Sequence, residues 1–207
     1  GDERLALDIP RSSFDAVDSL LDDVVGDHGS RAVAIHAGAT AASRRYPWEQ
    51  FAVVARRLVE DLGCTVIFTG LDSERELVES IRVRMGVPSH SLVGRLDLAA
   101  LAAFLARMQL LISNNTGAVH VAAAVGTPVV DLYALTNPQH TPWMVPHRVL
   151  SHDVPCKFCY KSICPEGHHH CLKLIPPDDV VGAAADLLNL DPIQAHSGGK
   201  DLVHTRS

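Results

Sequence analysis

Apolar and polar positions follow two different periods along this chain, and together they predict alternating strands and helices. Short, nearly continuous apolar runs are typical of strands buried on both faces, and they occur at 31–38, 64–70, 90–94, 109–114 and 127–134. Segments with apolar residues at helical spacing occur at 12–25, 47–63, 73–86, 97–108, 117–126 and 176–190. This order predicts an α/β fold, a Rossmann-like, doubly wound parallel sheet covered on both faces.

The same pattern suggests how the chain is organised. We expect residues 31–190 to form one lobe, preceded at 1–30 by a linking segment that contains the first helix. Cysteine, histidine, proline and glycine interrupt the periodic pattern at 155–172, which predicts a loop there. The polar tail 191–207 is expected to be disordered.

Composition and charge exclude several classes of protein. Hydrophobic residues make up 47% of the 207 residues and the net charge is −6, which fits a globular domain without an extended nucleic-acid surface. No run of about 18 apolar residues lacks a charge, so no transmembrane segment is predicted. The first residues show no signal-peptide pattern, and we expect a cytoplasmic protein with reduced thiols and no organic cofactor.

Polar residues and glycines follow the predicted strands at their carboxyl ends. They are His36, Gly38, Thr40, Ser43, Arg44 and Arg45 after the first strand, Thr69, Gly70 and Glu74 after the second, Asn115, Thr116 and Gly117 after the fourth, and Thr136 and Asn137 after the fifth. Parallel strands end at one edge of a sheet, and α/β proteins bind ligands there. These residues are therefore expected to gather on one rim.

The segment after the fourth strand has the chemistry of an anion site. Thr116 and Gly117 begin a helix whose first amides lack partners and carry the positive end of the dipole, and a glycine lets a phosphate approach closely. Arg44 or Arg45 could grip the same anion with two hydrogen bonds. Glu74 could accept hydrogen bonds from ribose hydroxyls. Together they predict a site for a nucleoside diphosphate.

Each of these residues also has a simpler interpretation. Asn115 or Thr116 can serve only to cap the helix, with Gly117 permitting the turn. His120 can be a hydrogen-bonded structural histidine, Glu74 a solvated helix residue, and the two arginines surface charge. Only their joint occurrence favours the nucleotide site.

Four cysteines have spacing that suits a metal. Cys156, Cys159, Cys164 and Cys171 form a C-x2-C-x4-C-x6-C pattern, with three histidines just before the last cysteine. Four soft ligands within so short a segment predict a structural site, for zinc first and iron second. The alternative is a loop of reduced thiols.

Four motifs in this chain, in this order, resemble one known family. They are "HAGATAASRRYPWEQFAVVARRL", "VIFTGLDSERELVESI", "SLVGRLDLAALAAFLARMQLLISNNTGAVHVAAAVGTPVVDLY" and "PCKFCYKSICPEGHHHCL". Together they resemble glycosyltransferase family nine, the ADP-heptose:lipopolysaccharide heptosyltransferases, over about 31–188. The resemblance implies the carboxyl-terminal, donor-binding lobe of a two-lobed GT-B enzyme. The lobe that carries the acceptor site and the catalytic base would be missing from this chain.

The resemblance also implies roles for particular residues. Arg44 stands where the family has a lysine on the diphosphate, Thr40 matches a donor contact, and Glu74 matches the ribose-binding acid. Thr116, Gly117 and His120 match the diphosphate-binding turn. Two positions depart from the family, which commonly has aspartate where this chain has Asn115 and proline where it has Ala37.

The implied reaction is an inverting transfer of heptose from ADP-heptose to a lipopolysaccharide acceptor, at the inner face of the inner membrane. This lobe alone would be inactive. Two alternatives stay open: a GT-B transferase or epimerase that uses another nucleotide sugar, and a non-catalytic, metal-containing interaction module.

Overall fold

The centre of the molecule is a six-stranded sheet in which every neighbouring pair of strands is parallel. A computed structural model describes residues 7–26, 31–134, 137 and 139–189. The strand order is β3-β2-β1-β4-β5-β6, which is the order of a doubly wound Rossmann-like fold. The predicted fold class is confirmed.

Strands and helices alternate through most of the chain. The strands are β1 Ala32–His36, β2 Thr65–Thr69, β3 His90–Ser91, β4 Leu110–Asn114, β5 Val129–Leu132 and β6 His147–Leu150. The helices are α1 Arg11–Val24, α2 Trp48–Glu60, α3 Arg75–Met85, α4 Leu98–Leu105, α5 Gly117–Val125, α6 His170–Lys173 and α7 Pro177–Leu188. No helix within these described stretches is long and apolar enough to cross a membrane.

Strands β1, β2, β4 and β5 bury side chains on both faces of the sheet, which explains their continuous apolar runs. In β1, Val33 and Ile35 face one core with residues of α2, α3 and α7, whereas Ala32 and Ala34 face a second core with α1, α4 and α5. Helix α1 belongs to the second core because its Val17 and Leu21 are buried there. The predicted division of the chain at residue 30 stays a prediction.

The predicted elements agree with the structure except in three places. The helix expected at 73–86 begins at Arg75, because a 3₁₀ turn over Asp72–Glu74 precedes it. Strand β6 and helix α6 were not predicted, because each has four residues of mixed polarity. The disorder expected for 191–207 falls on residues outside those described.

One buried side chain joins the end of β4 to the loop after β1. Asn114, which is fully buried, donates from Nδ2 to the Ala37 carbonyl at 2.6 Å and accepts from the Tyr46 N–H at 2.9 Å. The loop between β1 and α2 is thereby held at the carboxyl edge of the sheet. The Tyr46 hydroxyl continues the connection to the Ile175 carbonyl at 3.0 Å.

Replacing Asn114→Ala is expected to lower the free energy of unfolding by about 2–4 kcal/mol, because two buried backbone groups lose their partner. Urea denaturation at constant pH measures this. Ser80→Ala is the control, since it removes an exposed hydroxyl that bonds only to its own helix. An equal and small loss in both variants would contradict a structural role for Asn114.

Candidate functional site

The site lies where the strand order reverses. Strands β1 and β4 are neighbours although three helices and two strands separate them in the chain, and His36 at the end of β1 is in register with Ser113, the residue before the last of β4. The connections to α2 and α5 leave this point toward opposite faces of the sheet. In doubly wound folds the resulting crevice is where ligands bind.

The turn between β4 and α5 offers an unused hydroxyl. Thr116 occupies the position before the first turn of α5, yet its side chain makes no capping bond. Its Oγ1 is buried and has no hydrogen-bond partner in the described part of the chain. Apart from its chain neighbours and the backbone of α5, no atom of the described residues lies within 4 Å of the place where a Cβ on Gly117 would stand. The turn can therefore admit a group with oxygen acceptors.

The loop after β1 carries the two arginines, and they differ in their surroundings. Arg45 donates from Nε to the Ala39 carbonyl at 2.8 Å and from a terminal nitrogen to the Thr40 carbonyl at 3.2 Å, so it shapes its own loop. Arg44 lies in a 3₁₀ turn, and its buried Nε has no partner among the described residues. Thr40 is exposed at the start of this loop. Arg44 is thus the arginine with donor capacity to spare.

Glu74 lies directly over the backbone of the first loop. A Cβ added to Gly38 would come within 1.8 Å of Glu74 Oε1, so any other residue at this position would displace the carboxylate. The other oxygen, Oε2, accepts from the Leu71 N–H at 2.8 Å. One oxygen is therefore anchored, and the other faces the loop after β1, where it can accept from a ligand.

Two histidines at this edge are shifted toward the neutral form. Burial lowers the pKa of His36, against the opposing effect of the Glu74 carboxylate, and the His36 ring lies 3.1 Å from the Thr69 hydroxyl. Burial and then the nearby His140 lower the pKa of His120. A neutral imidazole can donate or accept a hydrogen bond at neutral pH without adding charge.

Asn115 faces inward and binds a buried acid. Its Nδ2 donates to Asp131 Oδ2 at 2.9 Å and to the His140 carbonyl at 2.7 Å. Asp131 is fully buried, its Oδ1 has no partner among the described residues, and burial raises its pKa to about 8 although Asn115 opposes this. Asn115 therefore connects the β4–α5 turn to the buried Asp131 and to the backbone at His140, and it does not cap α5.

The four cysteines line one small cavity of about 20 Å³. Cys156 Sγ lies 3.7 Å from His168 Nε2. Burial and the neighbouring thiols, Cys164 foremost, raise the pKa of Cys171 to about 11. Nevertheless, no three His, Cys, Asp or Glu side chains among the described residues are arranged to hold a metal ion. The predicted zinc or iron site is not confirmed: the ligand types fit, but their arrangement does not.

The sequence analysis predicted most of the polar residues of this edge and missed one of them. The structure places Thr40, Arg44, Arg45, Glu74, Asn115, Thr116, Gly117 and His120 in the loops and first turns that follow β1, β2 and β4. Asp131 was overlooked, although a charged residue inside the apolar run "PVVDLY" is a signal that could have found it. Buried Ser43, which the sequence offered only as one polar residue of the rim, has a structural role described below.

Comparison with known structures places the fold in one class. The chain superimposes on one half of a glycosyl transferase family 9 protein from Veillonella parvula, with a TM-score of 0.80 and 27% identity over 91% of this chain and 54% of that chain. The iron-containing dodecameric glycosyltransferase TibC from enterotoxigenic E. coli H10407 shares the fold, with a TM-score of 0.58 and 19% identity over 90% of this chain and 48% of TibC. The fold is that of one Rossmann-like lobe of a GT-B glycosyltransferase.

The family follows from the sequence match. The model of glycosyltransferase family 9 (heptosyltransferase) matches residues 8–170, and this chain belongs to that family. Lipooligosaccharide heptosyltransferase 2 of Campylobacter jejuni is 26% identical over 167 residues, which are 78% of this chain and 52% of that protein. The chain thus spans about half the length of this curated relative.

The buried acid makes a testable contribution to stability. Because the pKa of Asp131 is raised from 3.8 to about 8 on folding, the folded state keeps a proton that the unfolded state releases. Its contribution to stability is complete below about pH 4 and is lost as pH rises through about 8. Asp131→Asn, which keeps an acceptor for Asn115, should remove this part of the pH dependence.

Urea denaturation of both proteins between about pH 4 and 9 measures the difference. Because the other ionisable groups are common to both, their titration cancels in the comparison. Parallel stability curves for the two proteins would show that Asp131 ionises normally in the folded state.

Proposed function

We propose that this lobe binds the nucleotide-sugar donor of a heptosyl transfer, with ADP-heptose as donor and a lipopolysaccharide core as acceptor. The observation that supports it most directly is that two buried donors on the loops at the reversal of strand order, Thr116 Oγ1 and Arg44 Nε, have no hydrogen-bond partner among the described residues. Buried donors are nearly always satisfied in folded proteins, so a bound acceptor is expected there. The oxygens of a diphosphate supply such acceptors.

The charge and shape of the edge fit a nucleoside diphosphate. The amides of the first turn of α5 and the Arg44 guanidinium attract the phosphates, while open space at Gly117 admits them. Glu74 Oε1 is available for ribose hydroxyls. TibC has been solved with ADP-D-beta-D-heptose bound, which supports the same donor for this chain.

In the whole enzyme we propose an inverting displacement. A base in the second lobe removes the proton of an acceptor hydroxyl as its oxygen bonds to the anomeric carbon, the bond from that carbon to the diphosphate breaks, and ADP leaves. Negative charge develops on the diphosphate, where Arg44, Thr116 and the amides near Gly117 stabilise it. The lobe described here would bind the donor but not turn it over, and the enzyme would act on the cytoplasmic side of the inner membrane.

Isothermal titration calorimetry tests donor binding. ADP is expected to bind a folded sample, and UDP is expected to bind much more weakly. Binding of UDP in preference to ADP would favour a GT-B enzyme for another nucleotide sugar. The absence of heat with either nucleotide would contradict a nucleotide site.

Arg44→Ala should weaken ADP binding by about tenfold to a hundredfold, because it removes charge-assisted hydrogen bonds to the diphosphate. The matched control is Arg56→Ala, an exposed arginine on α2 whose partner is Glu60. Adenosine should bind wild type and Arg44→Ala equally. A similar loss for both arginine variants would remove Arg44 from the site.

We also retain zinc or iron at the four cysteines as a proposal. It is supported by the ligand types, by the cavity that the four side chains line and by the iron-containing relative TibC, although the described side chains would have to move together to hold a metal ion. Elemental analysis of protein purified without chelator should find about one metal ion per chain. Less than about 0.2 per chain would leave a loop of reduced thiols as the interpretation.

A further inference from the structure

The loop that carries Arg44 is bonded to the Cys-rich loop at 155–172. Ser43 is 4% exposed, and its hydroxyl donates to the Ser162 carbonyl at 2.6 Å, with the Lys161 carbonyl 3.4 Å away. The bond spans 119 positions of the sequence. Because the hydroxyl is buried, its loss would leave the Ser162 carbonyl without this partner.

The two loops share more than this one bond. Ser43 also lines the small cavity that the four cysteines surround. The Cys-rich loop therefore contacts the 3₁₀ turn that contains Arg44.

Arg44 lies between two fixed points of the backbone. Ser43 on one side is held by the Cys-rich loop, and Tyr46 on the other is held by Asn114 at the end of β4. The turn itself is closed by a hydrogen bond from the Arg44 N–H to the Ala41 carbonyl at 3.0 Å. A long side chain whose backbone is fixed at both ends loses less freedom when it binds an anion.

We propose that Ser43 is a positioning residue for diphosphate binding, through which the Cys-rich loop holds Arg44 at the donor site. The proposal rests on the proposed function, because it takes Arg44 to be the residue that contacts the diphosphate. It gives the Cys-rich loop a part in donor binding that needs no direct contact with the nucleotide. The Cys-rich loop acts on Arg44 through the Ser43–Ser162 hydrogen bond and the 3₁₀ turn that contains both Ser43 and Arg44.

A double-mutant cycle with ADP tests this route. Ser43→Ala should weaken ADP binding by about threefold to tenfold in the wild-type background and leave adenosine binding unchanged. In the Arg44→Ala background the same substitution should have no further effect on ADP. Equal losses in both backgrounds, or a parallel loss of adenosine binding, would overturn the proposal, because a general loss of structure produces them.

Hydrogen exchange tests the physical link without a nucleotide. In Ser43→Ala, backbone amides of 40–46 and 157–164 should both exchange faster than in wild type, while Ser80→Ala should change neither segment. Unchanged exchange in both segments would overturn the link even if ADP binds. If wild type binds no ADP, the proposed function fails and the link is judged from exchange alone.

Discussion

The carboxyl edge of the sheet depends on Asn114, the last residue of β4. Its amide satisfies one carbonyl and one N–H of the loop after β1, and all three groups lie in the interior. Asn114 is thereby bonded to Tyr46 and Ala37, which lie 68 and 77 positions earlier in the chain, at the point where the strand order reverses. In a buried setting an unmade bond of this kind is costly, so the amide fixes the loop as firmly as a strand pairing would. It holds both ends of the loop that carries Ser43, Arg44 and Arg45.

The polar groups of this edge divide into those that hold the structure and those that remain available. Arg45, Asn114 and Asn115 use their donors on backbone carbonyls or on a buried acid. Arg44 Nε and Thr116 Oγ1 are buried without a hydrogen-bond partner among the described residues, and the hydrogen bond from the Leu71 N–H to the Glu74 carboxylate uses only Oε2. The two adjacent arginines, which the sequence could not distinguish, therefore differ in how many of their donors are used within the protein. The satisfied residues fix the loops, and the others keep hydrogen-bonding capacity for the proposed ligand.

Periodicity in the sequence was enough to predict the fold and most of the edge, because buried parallel strands leave continuous apolar runs and end in polar loops. The contacts that organise the edge could not be predicted in the same way. The Ser43–Ser162 bond joins residues 119 positions apart, and no spacing rule relates them. Strand β6 was not predicted because its four residues, "HRVL", have polar side chains in the first half and little periodicity. Asp131 is visible in the sequence as a charged residue within an apolar run, but its hydrogen bond with Asn115 depends on how β4 and β5 pair.

The pairing of Asn115 with Asp131 gives a physical reason for an amide at position 115. The Asn115 amide nitrogen lies 2.9 Å from Asp131 Oδ2, and both residues are buried. An aspartate at 115 would place two carboxyl groups at this distance without water, and they could not both ionise. An amide donates to the acid and still has capacity for the His140 carbonyl. The buried carboxyl group that Asn115 contacts therefore stands on β5, and Asn115 gives it a hydrogen-bond donor.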